Sequence, residues 1–110
     1  MARVKSGLWV QALLWRLDRS ATAVVVRKRG DADSGSILLK LTYLDGTAAI
    51  LSQAQDGAGH SGWMKATGID PVPEEKSESY IARSLDIDPD QWVIEIEDPK
   101  RQFSPDENVF

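Results

Sequence analysis

The first apolar positions of the chain recur at helical spacing. Five of them lie on one face of a helical wheel and are suited to packing on a core: Trp9, Val10, Leu13, Leu14 and Leu17. Ser6 precedes them and is a residue type that caps helices, so we predict a helix over residues 8–19. Trp15 falls outside the apolar face, and a large aromatic side chain in that position needs another layer of protein or a partner.

Strand patterns follow the predicted helix. Residues 21–29 contain three consecutive valines, residues 37–43 alternate on two faces, and residues 47–53 follow the pair Asp45-Gly46. Asp-Gly favours a tight hairpin because both central residues of that turn need positive φ. Residues 30–35 form a polar turn of hairpin length. We therefore predict a three-stranded antiparallel meander.

The second half of the chain predicts one further short strand, one helix and one long strand. Residues 63–67 are the short strand, and Pro73 can open a helix that ends before Pro89. Residues 92–97 alternate between apolar and acidic positions. The resulting fold class is α+β in the order α-β-β-β-(β)-α-β, with a mostly antiparallel sheet and both helices packed on one face. We assign residues 1–98 to a single domain and residues 99–110 to a polar C-terminal tail that frays.

Composition excludes several classes of protein. The chain has 110 residues and no cysteine, so a disulfide framework, a thiol nucleophile and thiolate zinc ligands are ruled out. The apolar run of residues 8–17 is interrupted by Gln11 and Arg16 and is too short to span a membrane. We expect a cytoplasmic protein without membrane association.

Charge is distributed unevenly along the chain. Residues 1–40 contain eight Lys and Arg against three Asp and Glu, whereas residues 41–110 contain five against fourteen. The overall charge of −4 is more acidic than nucleic-acid-binding domains usually are. We expect the two halves to neutralise each other within the fold, with an anionic partner as the alternative.

Several segments together resemble a known family. They are residues 8–14, residues 27–31 leading to Gly35, residues 44–48, residues 80–83 and residues 88–98. This combination resembles the alphaproteobacterial proteins grouped as domain of unknown function 1491, over roughly residues 3–98. The resemblance implies a lineage and no activity.

Two sets of residues are candidates for contacts with a partner. Arg27, Lys28 and Arg29 form the densest basic cluster and are candidates for anion or nucleic-acid contact, with ion pairs to the acidic half as the competing interpretation. Trp15 and Trp63 are the tryptophans without an assigned core position, and they are candidates for an interface, where tryptophan is enriched, with burial in the core as the equal alternative.

Candidates for catalysis are weaker. His60 lies in a glycine-rich segment, but the sequence has no G-x-S-x-G motif that would supply a serine nucleophile for it. Asp31-x-Asp33 has the composition of a turn. Glu95, Glu97 and Asp98 could offer oxygen ligands to a divalent cation, but a solvated acidic strand face explains them better. We assign no catalytic residue, no metal site and no cofactor.

These observations favour a non-enzymatic interaction or accessory module that binds a protein partner or itself. The alternatives are a weak nucleic-acid or anion-binding module that uses the basic hairpin, and a carboxylate-dependent metal enzyme.

Overall fold

The described residues form two helices and six strands. The computed structural model describes residues 4–55, 57–105, 107 and 109–110. The elements in chain order are α1 (Ser6–Arg19), β1 (Val24–Lys28), β2 (Ile37–Thr42), β3 (Thr47–Gln55), β4 (Ser61–Lys65), β5 (Val72–Pro73), α2 (Glu74–Ile87) and β6 (Trp92–Glu97). The predicted α+β class and element order are confirmed.

The strands form one sheet in the order β1-β6-β2-β3-β4, with β5 paired to β3. The predicted hairpin of β2 and β3 is confirmed, but the positive φ angles of its turn lie at Leu44 and Gly46, at 61° and 89°, and not at Asp45. The predicted pairing of β1 with β2 is wrong, because β6 inserts between them, antiparallel to β1 and parallel to β2. β6 is buried on both sides and carries Trp92, Ile94 and Ile96 into the core, so it supplies more apolar contact there than the exposed valine strand could.

The two helices lie on opposite faces of the sheet. Val10, Leu13 and Leu17 of α1 pack on the face that carries Leu39 and Ile94. Ile81 of α2 packs on the other face, against Leu38, Ile50 and Val93. The prediction of both helices on one face is therefore wrong. In β2 every position is buried, and a strand covered on both faces needs a helix on each.

The turn between β1 and β2 packs closely against the start of β6. A Cβ atom on Gly30 would lie 2.3 Å from the carbonyl oxygen of Asp90, and one on Gly35 would lie 2.5 Å from the same atom. The Ser6 hydroxyl donates to the carbonyl of Gly35 at 2.5 Å, so Ser6 joins α1 to this turn and does not cap the helix as predicted. Glycines at these two positions allow the turn to approach β6.

The described part of the C-terminal segment packs on the domain. Phe103 contacts the core on the α1 side, and Pro105 is buried. Val109 forms a β-bridge to Trp63, whose carbonyl accepts from the N–H of Phe110 at 2.7 Å. These residues of the tail predicted to fray therefore contact the domain, and Val109 and Phe110 lie beside β4.

Candidate functional site

β1 forms one edge of the sheet. Its register pairs Val24 with Ile96 and Val25 with Glu95, and the N–H of Glu97 donates to Ala23 at 3.0 Å. Hydrogen-bonded and non-hydrogen-bonded pairs alternate in an antiparallel ladder, so the N–H and C=O groups of Val24 and Val26 point away from β6. In the part of the chain that the structure describes, no strand pairs with this outer side.

A groove of about 440 Å³ separates this edge from α1. Its apolar lining comes from both β1 and α1. Val26 of β1 faces the α1 side of the sheet, and Leu14 of α1 lies opposite it across the groove. Lys5, Arg29 and Asp33 contribute charges at its borders. The Nζ of Lys5 lies 3.7 Å from a carboxylate oxygen of Asp33, and both side chains are well exposed.

Three large apolar side chains of α1 and β1 are exposed, and Leu8 is the one that lines the groove. Leu8 is 59% exposed, Trp15 is 65% exposed and Val25 is 58% exposed. The guanidinium of Arg19 lies 4.9 Å from the centre of the Trp15 ring, which orients the ring on the surface without burying it. The sequence-predicted interface residue Trp15 therefore lies on the solvent-exposed surface of α1.

Trp63, the other predicted interface residue, lies in the core. Only 1% of its surface is exposed, so it cannot anchor a partner on this fold. Its ring packs at 5.3 Å from that of Trp9, and both indole N–H groups donate to Glu107 at 3.2 Å. The structure therefore places Trp63 in the core, where Glu107, Val109 and Phe110 contact it, and the strand pattern of Trp63 does not contain that information.

Arg27, the first residue of the basic cluster, is neutralised within the fold. Its guanidinium donates to both carboxylate oxygens of Glu78, at 2.6 and 2.7 Å, and to Glu95 at 3.2 Å. The hydrogen bond to Glu78 is the main reason that the pKa of Arg27 is raised. Bidentate pairing holds this cation against α2, so Arg27 is not available to a surface anion.

Lys40 extends this network beneath α2. Its side chain is 4% exposed, and its Nζ contacts Glu74 at 2.5 Å and Glu78 at 2.7 Å. Burial by itself would lower the pKa of Lys40, but the bonds to the two glutamates outweigh it and raise the pKa. The bond from Arg27 and the bond from Lys40 lower the pKa of Glu78 to about 2. All these groups stay charged at neutral pH and bind one another.

The other two residues of the basic cluster separate from Arg27. Lys28 donates to the backbone carbonyl of Pro89. Arg29 lies over the Trp92 ring, 5.5 Å from its centre, and borders the groove. The structure thus places one of the three sequence-predicted cations at the groove and uses the other two in internal contacts.

The acidic residues considered as metal ligands do not converge. Glu95 binds Arg27, and Glu97 is exposed at the end of β6. Asp98 accepts from the backbone N–H groups of Gln102 and Phe103, at 2.9 and 3.1 Å. Among residues 4–55 and 57–105 and the described positions beyond, no group of three or more His, Asp or Glu could hold a metal ion.

The remaining polar candidates lie in loops. The Asp31 carboxylate accepts from the N–H groups of Asp33 and Ser34, which lowers the pKa of Asp31 mainly through Ser34. Asp31 is thus a turn residue, as its composition indicated. His60 is exposed between β3 and β4.

Sequence reasoning missed the network of Lys40 with α2. The available indication was a lysine within the apolar run of residues 37–41, which requires a buried partner if both faces of the strand are covered. Glu74 and Glu78 lie one helical turn apart on α2, and that spacing allows both carboxylates to contact the same cation, Lys40.

These features define a class: a small α+β domain with an open six-stranded sheet, a helix on each face and one exposed edge strand. The chain belongs to the family described as protein of unknown function (DUF1491), which it matches over residues 4–104. The resemblance found in the sequence is therefore confirmed.

Solved structures support the same assignment. One is the crystal structure of a DUF1491 family protein from Caulobacter crescentus CB15, whose sequence is 32% identical to this chain. The match covers 98% of this chain and 100% of the Caulobacter chain, with a TM-score of 0.84. An NMR structure of a DUF1491 family protein from the same organism is also 32% identical. That match covers 100% of this chain and 99% of the other, with a TM-score of 0.83. A solution structure of a protein from A. tumefaciens is 24% identical. The match covers 88% of this chain and 87% of the other with a TM-score of 0.73, and it supports the fold.

No curated protein matches the chain. Neither described helix has the length and apolar character that crossing a membrane would require.

Proposed function

We propose that this protein is a non-enzymatic interaction module that docks a protein partner on the side formed by α1 and β1. The observation that carries the proposal is the outer side of β1, where no described strand pairs with the N–H and C=O groups of Val24 and Val26. An unpaired edge strand is a template for another strand. Leu8 of α1 lines the groove next to Val26, and Trp15 is exposed on the same helix.

The distribution of charge supports protein docking over nucleic-acid binding. Arg27 is held by two glutamates, and Lys28 is directed to a carbonyl. This leaves Arg29 and Lys5 at the groove, which are too few cations for the phosphate contacts that dominate nucleic-acid affinity.

Site-specific photo-crosslinking in an alphaproteobacterial host tests the proposal. A benzoylphenylalanine at Val25 or Trp15 should give discrete crosslinked species, whereas the same group at Ile69 or Ile87, each 85% exposed, should not. A crosslinked species of twice the mass of the chain would identify the partner as a second copy. Equal crosslinking from all four positions, or none from any, would contradict the docking surface.

A further inference from the structure

The groove beside β1 carries information about the kind of partner, and this inference rests on the proposed function. We infer that the partner docks as an extended peptide that adds a strand to β1 and carries two apolar side chains at alternate positions with an acidic side chain two positions from one of them. The groove, the open edge and the cations at one end of the groove each contribute a part of that description.

Pairing with β1 as an added strand determines which peptide side chains face the groove. A peptide that pairs with β1 bonds to the outward N–H and C=O groups of Val24 and Val26. Since side chains alternate along a strand, the peptide residues opposite these two valines project to the α1 side. The next peptide position on that side lies past the register shift between Val26 and Lys28, near the loop that carries Arg29.

The lining of the groove fixes the chemistry of the apolar positions. Leu8, Leu14 and Val26 face the space that two peptide side chains would enter. Leu14 and Val26 already pack on the core and are only partly buried, so their remaining surface offers a shaped apolar wall. Val25 lies on the opposite side of the strand and would cover the intervening peptide residue.

Charge complementarity fixes the acidic position. Arg29 and Lys5 both border the groove, and Arg29 is already oriented by its contact with Trp92. Asp33 offsets part of this charge through its 3.7 Å contact with Lys5. An acidic side chain at the Lys28 end of the peptide would meet Arg29, while a basic one there would be repelled.

A second copy of the chain fits less well. Antiparallel pairing of two β1 strands about Val25 would bring the apolar residues 23–26 together, but Arg27 and Lys28 follow within the strand. The register of β1 also shifts between Val26 and Lys28, which shortens the regular edge. Pairing of two sheets through β1 would leave both grooves unfilled, whereas a peptide fills the groove as it pairs.

Selection from a displayed library of random twelve-residue peptides tests the inference. Enriched peptides should share the two alternate apolar residues and the acidic residue, and replacing that acidic residue by lysine should reduce affinity at least about tenfold. Affinity is measured by fluorescence anisotropy on the full chain. Arg29→Glu should cause a similar loss, and Val24→Pro should abolish binding because it removes an outward donor while leaving the β6 ladder.

Matched controls separate docking from unfolding. Ile87→Glu changes an exposed residue at the end of α2 and should bind as the wild type does. Melting temperatures of the variants should stay within a few degrees of one another. Peptides that bind Val24→Pro and Arg29→Glu unchanged, a basic consensus, or no enrichment would overturn the inference.

The outcomes also distinguish this inference from the proposed function. Crosslinks from Val25 together with a failed peptide selection would leave the docking surface standing and remove the extended acidic peptide. A dimer in light scattering that disappears in Val24→Pro would identify a second copy as the occupant. The absence of crosslinks and of peptide binding would remove both proposals.

Discussion

Replacing Glu78 by glutamine removes the carboxylate on which the cations of the network converge. Glu78 accepts two hydrogen bonds from Arg27 and one from Lys40. After the change Arg27 keeps Glu95 at 3.2 Å and Lys40 keeps Glu74 at 2.5 Å, so each cation retains one carboxylate. We therefore expect a measurable loss of stability without loss of the fold.

The size of the loss follows from the pKa of Glu78. That pKa falls from 4.5 to about 2 on folding. With each pKa unit worth about 1.36 kcal/mol, the upper limit is about 3.4 kcal/mol at neutral pH. The Glu78 side chain is 41% exposed, and solvent screens the pair, so we halve the limit to about 1.7 kcal/mol.

The pH dependence has a defined sign. A carboxyl whose pKa is lower in the folded chain stabilises it fully above the unfolded value of 4.5 and loses that effect as the pH falls toward about 2. The difference between wild type and Glu78→Gln should therefore be largest at pH 7 and less than half as large at pH 3.

Urea denaturation at the two pH values measures this difference. Glu75→Gln, an exposed glutamate in the same helical turn, is the matched control and should stay within about 0.5 kcal/mol of wild type. A Glu78→Gln variant as stable as Glu75→Gln at pH 7, or a difference that stays constant down to pH 3, would refute the reasoning.

The remaining predictions concern the buried lysine, the close turn and the tryptophans. Lys40→Met should cost about 3 kcal/mol in urea denaturation at pH 7 and less at pH 4, because the carboxylates it leaves unpaired can take up protons; an equal cost at both pH values would contradict this. Gly30→Ala should cost about 2 kcal/mol through its clash with Asp90, whereas Gly57→Ala, with no atom within 4 Å of the added Cβ, should stay near wild type by thermal melting. Trp63→Ala should cost about 3–5 kcal/mol and Trp15→Ala less than about 1 by chemical denaturation, and similar costs would show that the two environments are misassigned.

Local pattern was sufficient to identify every helix and the longer strands. The apolar face of residues 9–17 became the buried face of α1, and Asp45-Gly46 became the turn between β2 and β3. These features depend on side-chain spacing and turn conformation within a few residues. The family could also be recognised, since it rests on short segments whose order is visible in the chain.

Pairing partners could not be obtained from pattern alone. Residues 30–35 have the length of a hairpin turn, but the strands they join do not pair, because β6 fills the position between them. The turn packs closely against Asp90 at Gly30 and Gly35, and a glycine in a turn gives no indication of the backbone that will lie beside it.

The candidate site also has features that the sequence pattern identifies and features that depend on long-range contacts. The sequence identified Trp15 as an aromatic residue outside the helix face and Arg27, Lys28 and Arg29 as a basic cluster. Burial of Trp63 under the C-terminal segment and capture of Arg27 by Glu78 depend on contacts between residues 44 or more positions apart. The groove itself exists because α1 and an edge strand lie side by side.

The sequence by itself thus determined the α+β class, the family, the element boundaries to within a few residues, and the separation of positive from negative charge along the chain. The tertiary structure decided which strands are neighbours, which face each helix covers, and which charges remain on the surface. The physical reason is range: helix and turn preferences act between residues a few positions apart, whereas strand order and ion pairing depend on which distant surfaces bury the most apolar area together.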